Sequence, residues 1–169
     1  ADGASEGSTI TGSLLTDIDD TIARSIHDAY RAKDLALKER KPDHKIHLNS
    51  RPWEDLQEDI RDANRMVAGH FDVKMRAIDC FLGSIDEDTE ANLSVDELEV
   101  LSIMEHSRWW ADRALNGWQF GPVRNDVQKV HPNMVPYDEL SEADKQKDRD
   151  SVLEMIKLLR SEGAIIVRN

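Results

Sequence analysis

An internal duplication constrains the fold of this chain more than any other feature of its sequence. The run from Lys45 to Arg65 reappears without a gap 84 residues later, from Lys129 to Arg149. Seven positions of the first run have an identical residue in the second: Lys45, His47, Asn49, Pro52, Leu56, Glu58 and Arg65. Upstream, an offset of 79 residues aligns His27 with His106 and Tyr30 with Trp109. We expect two repeats packed around a pseudo-two-fold axis, with a ligand cleft between them.

The duplication predicts a mainly α fold of two helical repeats, with long irregular loops and at most short strands. The predicted boundaries are a flexible tail at 1–15, a degenerate first repeat at 16–83, a linker at 84–93 and a full second repeat at 94–169. Each repeat receives two predicted helices. In the first repeat they run from about Asp17 to Lys38, after a cap at Thr16, and from about Glu58 to Phe81. In the second, one helix begins with a capping box at Ser94 and Glu97 and stops at Gly117. The last helix runs from about Ser141 to Arg160 and precedes a short AIIV strand.

Composition excludes several classes of function. A net charge of −12 on 169 residues argues against binding of a DNA or RNA polymer, although a local basic pocket could still hold one small anion. Cys80 is the one cysteine, so no internal disulfide forms. No apolar run is long enough to cross a bilayer, so we expect a cytoplasmic protein without direct membrane insertion. The opening ADGASEGST also suggests one module of a longer chain.

The third predicted helix carries an unusual pair of faces. At about 100° per residue, one stripe is apolar and is the expected core face. It contains Leu101, Met104, Ala111, Leu115 and Trp118. The opposite side carries His106, Trp109, Trp110 and Arg113. Two tryptophans on that side either fill an interface or provide a stacking platform for a planar ring, with Arg113 near an anionic group.

Symmetric pairing of the copies would bring Tyr30 opposite Trp109. Two such rings could sandwich a nucleobase, whichever base it is. Basic residues of the two loops could then surround attached phosphates. These residues are Lys45, His47, Arg124, Lys129 and His131. The alternative is that the histidines only cap their loops.

Sequence motifs for catalysis are nearly absent. The six histidines form no recognised metal-ligand spacing, and no nucleophile elbow or glycine-rich phosphate loop occurs. The dipeptide His27-Asp28 is found in metal-dependent HD phosphohydrolases, but two-residue matches are common. We therefore predict a binding protein that is not an enzyme, without cofactor or metal.

The string EHSRWWADRALNGWQFGPVRNDVQKVHPNMVPYDELSEADKQKDRD resembles the RyR domain, the repeat of ryanodine receptor calcium channels. The resemblance extends from about Leu98 to Gly163. In the first half, IARSIHDAYRA and RPWEDLQEDIRDANR resemble the degenerate first copy of bacterial and phage-type tandem RyR proteins. The first copy lacks the G-W-x-[FY]-G-P element of the second.

The resemblance implies a non-enzymatic module whose tandem cleft accepts an adenine or cyclic nucleotide between two aromatic rings. Those rings correspond to Tyr30 and Trp109, and the further site residues are His27, His47, His106, Arg113, His131 and Asn133. It also implies that ligand binding regulates an effector domain, in the same or another chain, in bacterial signalling or antiphage defence. A homo-oligomer is compatible with this role. The alternatives are a structural interaction module without a small ligand and a phosphohydrolase using His27 and Asp28.

Overall fold

A computed structural model describes the backbone of residues 10–169 and the side chains of residues 20–169. The fold is mainly helical with short strands, which confirms the predicted class. The helices are α1 (Ile10–Arg40), α2 (Glu58–Ala77), α3 (Val95–Leu115) and α4 (Glu142–Ser161). The strands are β1 (Cys80–Ser84), β2 (Gln119–Phe120), β3 (Val130–His131) and β4 (Ala164–Arg168). Short 3₁₀ helices occupy Leu48–Ser50, Trp53–Asp55 and Tyr137–Glu139. Residues 1–9 of the predicted tail lie outside the described residues.

Local signals set most of the helix ends. α3 begins with the predicted capping box at Ser94, and Gly117 and Gly163 both take a left-handed φ of 82° just after α3 and α4. Two predicted bounds were wrong. α1 already includes Ile10, so it starts well before Asp17. α2 ends at Ala77 because the chain reverses at Asp79, whose φ is 55°, and the residues that follow form β1.

The chain divides into two compact units, residues 1–73 and 74–169. In the first unit, α1 and the start of α2 bury a small core around Trp53, with Ala23, Leu56 and Ala68. None of the described helices is long and apolar enough to cross a membrane.

The second unit packs α3 against α4 and closes one end with β1 and β4. Its buried side chains include Leu101 of α3, Val152 and Leu159 of α4, and Ile165 and Ile166 of β4. Burying an aliphatic side chain of this size contributes roughly 1.5–3 kcal/mol. The apolar positions of α3, α4 and β4 are therefore what holds this unit together.

The pairing of β1 with β4 reproduces the duplication. Each residue of β4 lies 84 positions after its counterpart in β1, and the antiparallel register places Leu82 opposite its own counterpart, Ile166. The strand pair is therefore locally two-fold symmetric. α2 and α4 carry the same offset, and each has 20 residues.

The same buried histidine bond occurs in both copies. In the first, His27 Nε2 donates to Arg51 O at 2.7 Å. In the second, His106 Nε2 donates to Val135 O at 2.7 Å. His27 and His106 are 1% and 3% exposed. In each copy, a histidine ring on the first helix therefore fixes the loop that leads into the second helix.

The loops themselves agree only in part. From Pro52 and Pro136 onward the backbones match, since each proline precedes a 3₁₀ helix that is followed by a buried leucine in an extended conformation. Before that point they differ, because the first copy has a 3₁₀ helix at Leu48–Ser50 where the second forms β3. The repeat is confirmed locally for the part nearest the second helix of each copy.

An arginine–carboxylate pair also repeats. Arg65 donates to Asp20 from Nε and Nη2, and Arg149 donates to Glu99 from the same two atoms. Two parallel donors on one carboxylate hold both side chains in a defined geometry. Each copy thus ties its second helix to its first by an equivalent bidentate bond.

The capping box of α3 also binds the end of the chain. Glu97 Oε2 accepts from Ser94 N at 2.8 Å, and Arg168 Nη1 of β4 donates to Glu97 Oε1 at 2.7 Å. The bond from Arg168, followed by that from Ser94, lowers the pKa of Glu97 to about 2. The carboxylate therefore joins α3 to β4 as long as it is ionised.

Acid titration should reveal how much this bond contributes to stability. A carboxyl group with a depressed folded-state pKa stabilises the fold above its unfolded pKa, and that contribution is lost as the pH falls through the folded value. Wild type should therefore lose stability between about pH 4.5 and 2, and Glu97→Gln should lose less over this window. Urea unfolding followed by circular dichroism at several pH values measures the difference.

Asp96→Asn, which removes a charge from the same turn but not the carboxylate that Arg168 contacts, is the control. Parallel pH profiles for wild type and Glu97→Gln would contradict the assignment.

Candidate functional site

A long loop, residues 118–140, folds back on α3 in the second unit. Its two short strands are parallel, with Gln119 paired to Val130 and Phe120 to His131. A Cβ at Gly121 would collide with the Val130 side chain, so this close approach requires glycine. That steric limit explains the glycine of the WQFGP motif.

The loop packs on the polar and aromatic face of α3. His106 is buried there, while Ala111 and Leu115 of the predicted core stripe are exposed, Leu115 by 83%. The predicted core face was therefore wrong at Ala111 and Leu115, whereas Met104 and Trp118 of the same stripe are partly buried. The physical reason is that His106 donates to the loop carbonyl of Val135, which brings the loop onto that side of the helix.

His106 also has a second polar partner. Its Nδ1 lies 3.3 Å from Asp148 Oδ2 of α4. Burial raises the pKa of Asp148 above its ordinary value, while the charge of His106 opposes that change. Because the Val135 carbonyl can only accept, Nε2 carries a proton, and Nδ1 faces the Asp148 carboxyl group. One ring thus links α3, the loop and α4.

Trp109 lies next to His106 and forms one wall of a pocket. Its ring stacks on His106 at 5.6 Å between centroids and meets His131 edge-on at 4.9 Å. The pocket encloses about 260 Å³. His106 of α3 also lines it, and the other polar groups come from the loop and from α4: Arg124, His131, Asn133, Asp144, Lys147, Asp148 and Ser151.

Charges of both signs meet in this pocket. Arg124 pairs with Asp126 at 2.6 Å, and Lys147 pairs with Asp144 at 2.7 Å. Lys147, with Ser141, lowers the pKa of Asp144 to about 2. All four of these charged groups reach solvent, so each pair can exchange its partner at little cost.

His131 is a neutral donor at physiological pH. Burial, followed by the charges of Arg124 and Arg113, lowers the pKa of His131. Its Nδ1 accepts from Asn133 N at 3.0 Å, so the proton resides on Nε2. The predicted residues His106, Trp109, His131 and Asn133 therefore come together at one pocket.

Arg113 and His27 do not line this pocket. The Arg113 guanidinium lies over the Trp118 ring at 4.8 Å and over Trp109 at 5.9 Å. It supports the rings and is not among the residues that line the pocket. His27 is buried and donates to the Arg51 carbonyl, and its contact with a ligand stays a prediction.

The remaining predicted site residues, Tyr30 and His47, lie in the first unit. Tyr30 is 44% exposed, and its ring lies 6.5 Å from that of His47. The pairing of Tyr30 with Trp109 across a cleft stays a prediction.

Sequence reasoning missed the contribution of α4 to the pocket. Asp144, Lys147, Asp148 and Ser151 are spaced three or four residues apart and therefore share one helix face. That spacing was visible in the sequence. It was not informative there, because half of the residues of α4 are charged.

Removing His106 should destabilise the second unit. His106→Ala leaves the Val135 carbonyl without its donor, which costs about 1–3 kcal/mol of unfolding free energy before any packing loss. His106→Gln, whose amide can donate to the same carbonyl, should recover part of it. Ser107→Ala, the exposed neighbouring position, is the control. Urea unfolding measures the set, and equal stability of His106→Ala and Ser107→Ala would contradict the role of this bond.

The family of the second copy follows from a comparison with known domains. A family model described as the RyR domain matches residues 92–168. The match spans α3, the loop, α4 and β4, and it includes the pocket beside Trp109. It confirms the resemblance for the second copy, while the RyR-like nature of the first copy stays a prediction. Residues 92–168 of this chain are thus similar to the RyR domain.

Proposed function

We propose that this RyR domain is a non-catalytic sensor that binds a nucleotide, or a second messenger derived from one, in the pocket beside Trp109. The observation that carries the proposal is an aromatic wall next to several hydrogen-bond donors. A purine base would stack on Trp109, and stacking of this kind contributes roughly 1–3 kcal/mol per base. His131, packed edge-on against Trp109, holds the ring in place.

The donors around Trp109 suit the polar part of a nucleotide. Arg124 and Lys147 are cations, and His131 Nε2–H is a neutral donor. A phosphate would replace Asp126 or Asp144 as the partner of these cations. Since both existing pairs are exposed, the exchange costs little.

The size of the pocket limits what it can enclose. Small-molecule sites usually measure about 300–1,000 Å³, and this pocket holds about 260 Å³. A bound nucleotide would therefore place its base and part of its sugar inside. Its phosphates would lie at the rim, close to Arg124 and Lys147.

The arrangement of acids and bases supports binding without catalysis. Asp148 is occupied by His106, and Asp144 by Lys147 and Ser141. His27, the histidine of the HD dipeptide, is bonded to a backbone carbonyl in the interior. These contacts hold the loop and the helices in place. By resemblance to bacterial tandem RyR proteins, we propose that ligand binding regulates an attached or partner effector in signalling or antiphage defence.

An interaction module without a small ligand is the second candidate. Four apolar side chains between residues 115 and 127 are strongly exposed: Leu115 by 83%, Phe120 by 59%, Val123 by 74% and Val127 by 94%. Exposed apolar residues grouped in one stretch favour contact with another protein.

Two neighbouring tryptophans test the sensor proposal. Trp109 lines the pocket, whereas Trp110 contacts His106 from outside it. Trp109→Ala should weaken nucleotide binding by about 1–3 kcal/mol, roughly 5- to 150-fold, while Trp110→Ala should leave affinity nearly unchanged. Isothermal titration calorimetry with ATP, ADP, AMP, cyclic nucleotides and adenosine measures both variants. Melting curves ensure that each is folded at the assay temperature.

Arg124→Ala distinguishes the contribution of the phosphate to binding from that of the base. It should weaken ATP binding and flatten its salt dependence, yet leave adenosine binding unchanged. Equal losses at Trp109 and Trp110 would contradict the pocket assignment. If wild type binds no nucleotide at millimolar concentration and self-associates in sedimentation velocity, the interaction module is favoured instead.

A further inference from the structure

A second group of polar side chains converges in the first unit, away from the pocket of the RyR domain. Asp34 lies on α1, and His44 and His47 lie on the loop after it. His44 Nε2 is 2.6 Å from Asp34 Oδ1, and His47 Nε2 is 3.9 Å from the same oxygen. One ligand atom from each of the three residues lies within 4.8 Å of the others.

The carboxylate of Asp34 is held in a fixed orientation. Its Oδ2 accepts from Ser50 Oγ at 2.5 Å and from His47 N at 2.8 Å, and Asp34 and Ser50 are both buried. Oδ1 is thereby directed toward the two imidazoles. Carboxylates oriented by outer hydrogen bonds are typical of metal sites, because the outer partners set the ligand geometry.

A loop anchor alone accounts for only part of this geometry. The bond from His44 to Asp34 would attach the loop to α1 without any help from His47. The His47 ring nevertheless directs Nε2 toward the same oxygen, although its side chain is 62% exposed and the distance is too long for a hydrogen bond. Two ligands bound at about 2.0–2.1 Å to a tetrahedral ion lie roughly 3.4 Å apart. The distances of 2.6 and 3.9 Å from the two imidazoles to Asp34 Oδ1 lie on either side of that spacing.

We propose that Asp34, His44 and His47 bind a divalent transition-metal ion of the zinc type. Two imidazole nitrogens and one carboxylate oxygen suit Zn²⁺, Co²⁺ or Ni²⁺, whereas Mg²⁺ and Ca²⁺ prefer sites made of oxygen. The exposed side of His47 gives the ion a path of entry from solvent.

Three protein ligands leave one position of a tetrahedral ion open to water or to an oxygen of another molecule. The ion would thus fix the loop to α1 and keep one exchangeable ligand position. The exposed Tyr30 ring lies 6.5 Å from the His47 ring. This proposal stands independently of nucleotide binding.

Metal titration of the tag-free full chain tests the site. After treatment with EDTA and removal of the chelator, wild type should bind one equivalent of Zn²⁺ in isothermal titration calorimetry. His47→Ala should weaken binding at least as much as the 10- to 100-fold typical of changes to outer-shell partners. His70→Ala, which removes a histidine of the same unit from outside the cluster, should bind as wild type does. Zn²⁺ should also raise the melting temperature of wild type but not of His47→Ala.

Three results would overturn the proposal. They are the absence of stoichiometric Zn²⁺ binding, equal affinities for His47→Ala and His70→Ala, and displacement of Zn²⁺ by millimolar Mg²⁺, which would indicate binding to the acidic surface. If His47→Ala does not fold, X-ray absorption of zinc-loaded wild type decides. Two imidazoles in the ligand shell support the site, and a shell of oxygen alone refutes it.

Discussion

The buried bond from a histidine ring to a loop carbonyl is the constraint on which both copies depend. His27 binds Arg51 O in the first, and His106 binds Val135 O in the second, each at 2.7 Å. An unpaired carbonyl in the interior would cost about 1–3 kcal/mol, so the bond fixes where the loop packs on its helix. In the second copy that position brings Trp109 beside His131 and creates the pocket. The proposed sensing function thus depends on a structural histidine.

Much of the secondary structure could be predicted because its signals are local. Ser94 with Glu97 begins α3, and left-handed glycines follow α3 and α4. The 84-residue repeat also predicted the matching loops that follow Pro52 and Pro136. The end of α2 was missed because the reversal occurs at Asp79 and not at a glycine, and one aspartate gives no clear signal in a charged sequence.

The candidate sites were predicted less completely, because tertiary contacts decide them. Helical periodicity treats an apolar stripe as core, yet His106 is buried and Leu115 exposed, since a hydrogen bond outweighs hydropathy at this face. The cluster of Asp34, His44 and His47 has no familiar spacing. Among 34 acidic residues, nothing in the sequence distinguishes the carboxylate that faces the two histidines. Only the hydrogen bonds that orient Asp34 identify it.

Nuclear magnetic resonance of the histidine rings tests the shared constraint most directly. Long-range ¹H–¹⁵N correlation spectra report which ring nitrogen carries the proton, and solvent exchange reports whether that proton is protected. Because a carbonyl can only accept, His27 and His106 should both carry a proton on Nε2, and both protons should exchange slowly. A bare Nε2, or rapid exchange at either ring, would contradict the proposal that one buried bond organises both copies.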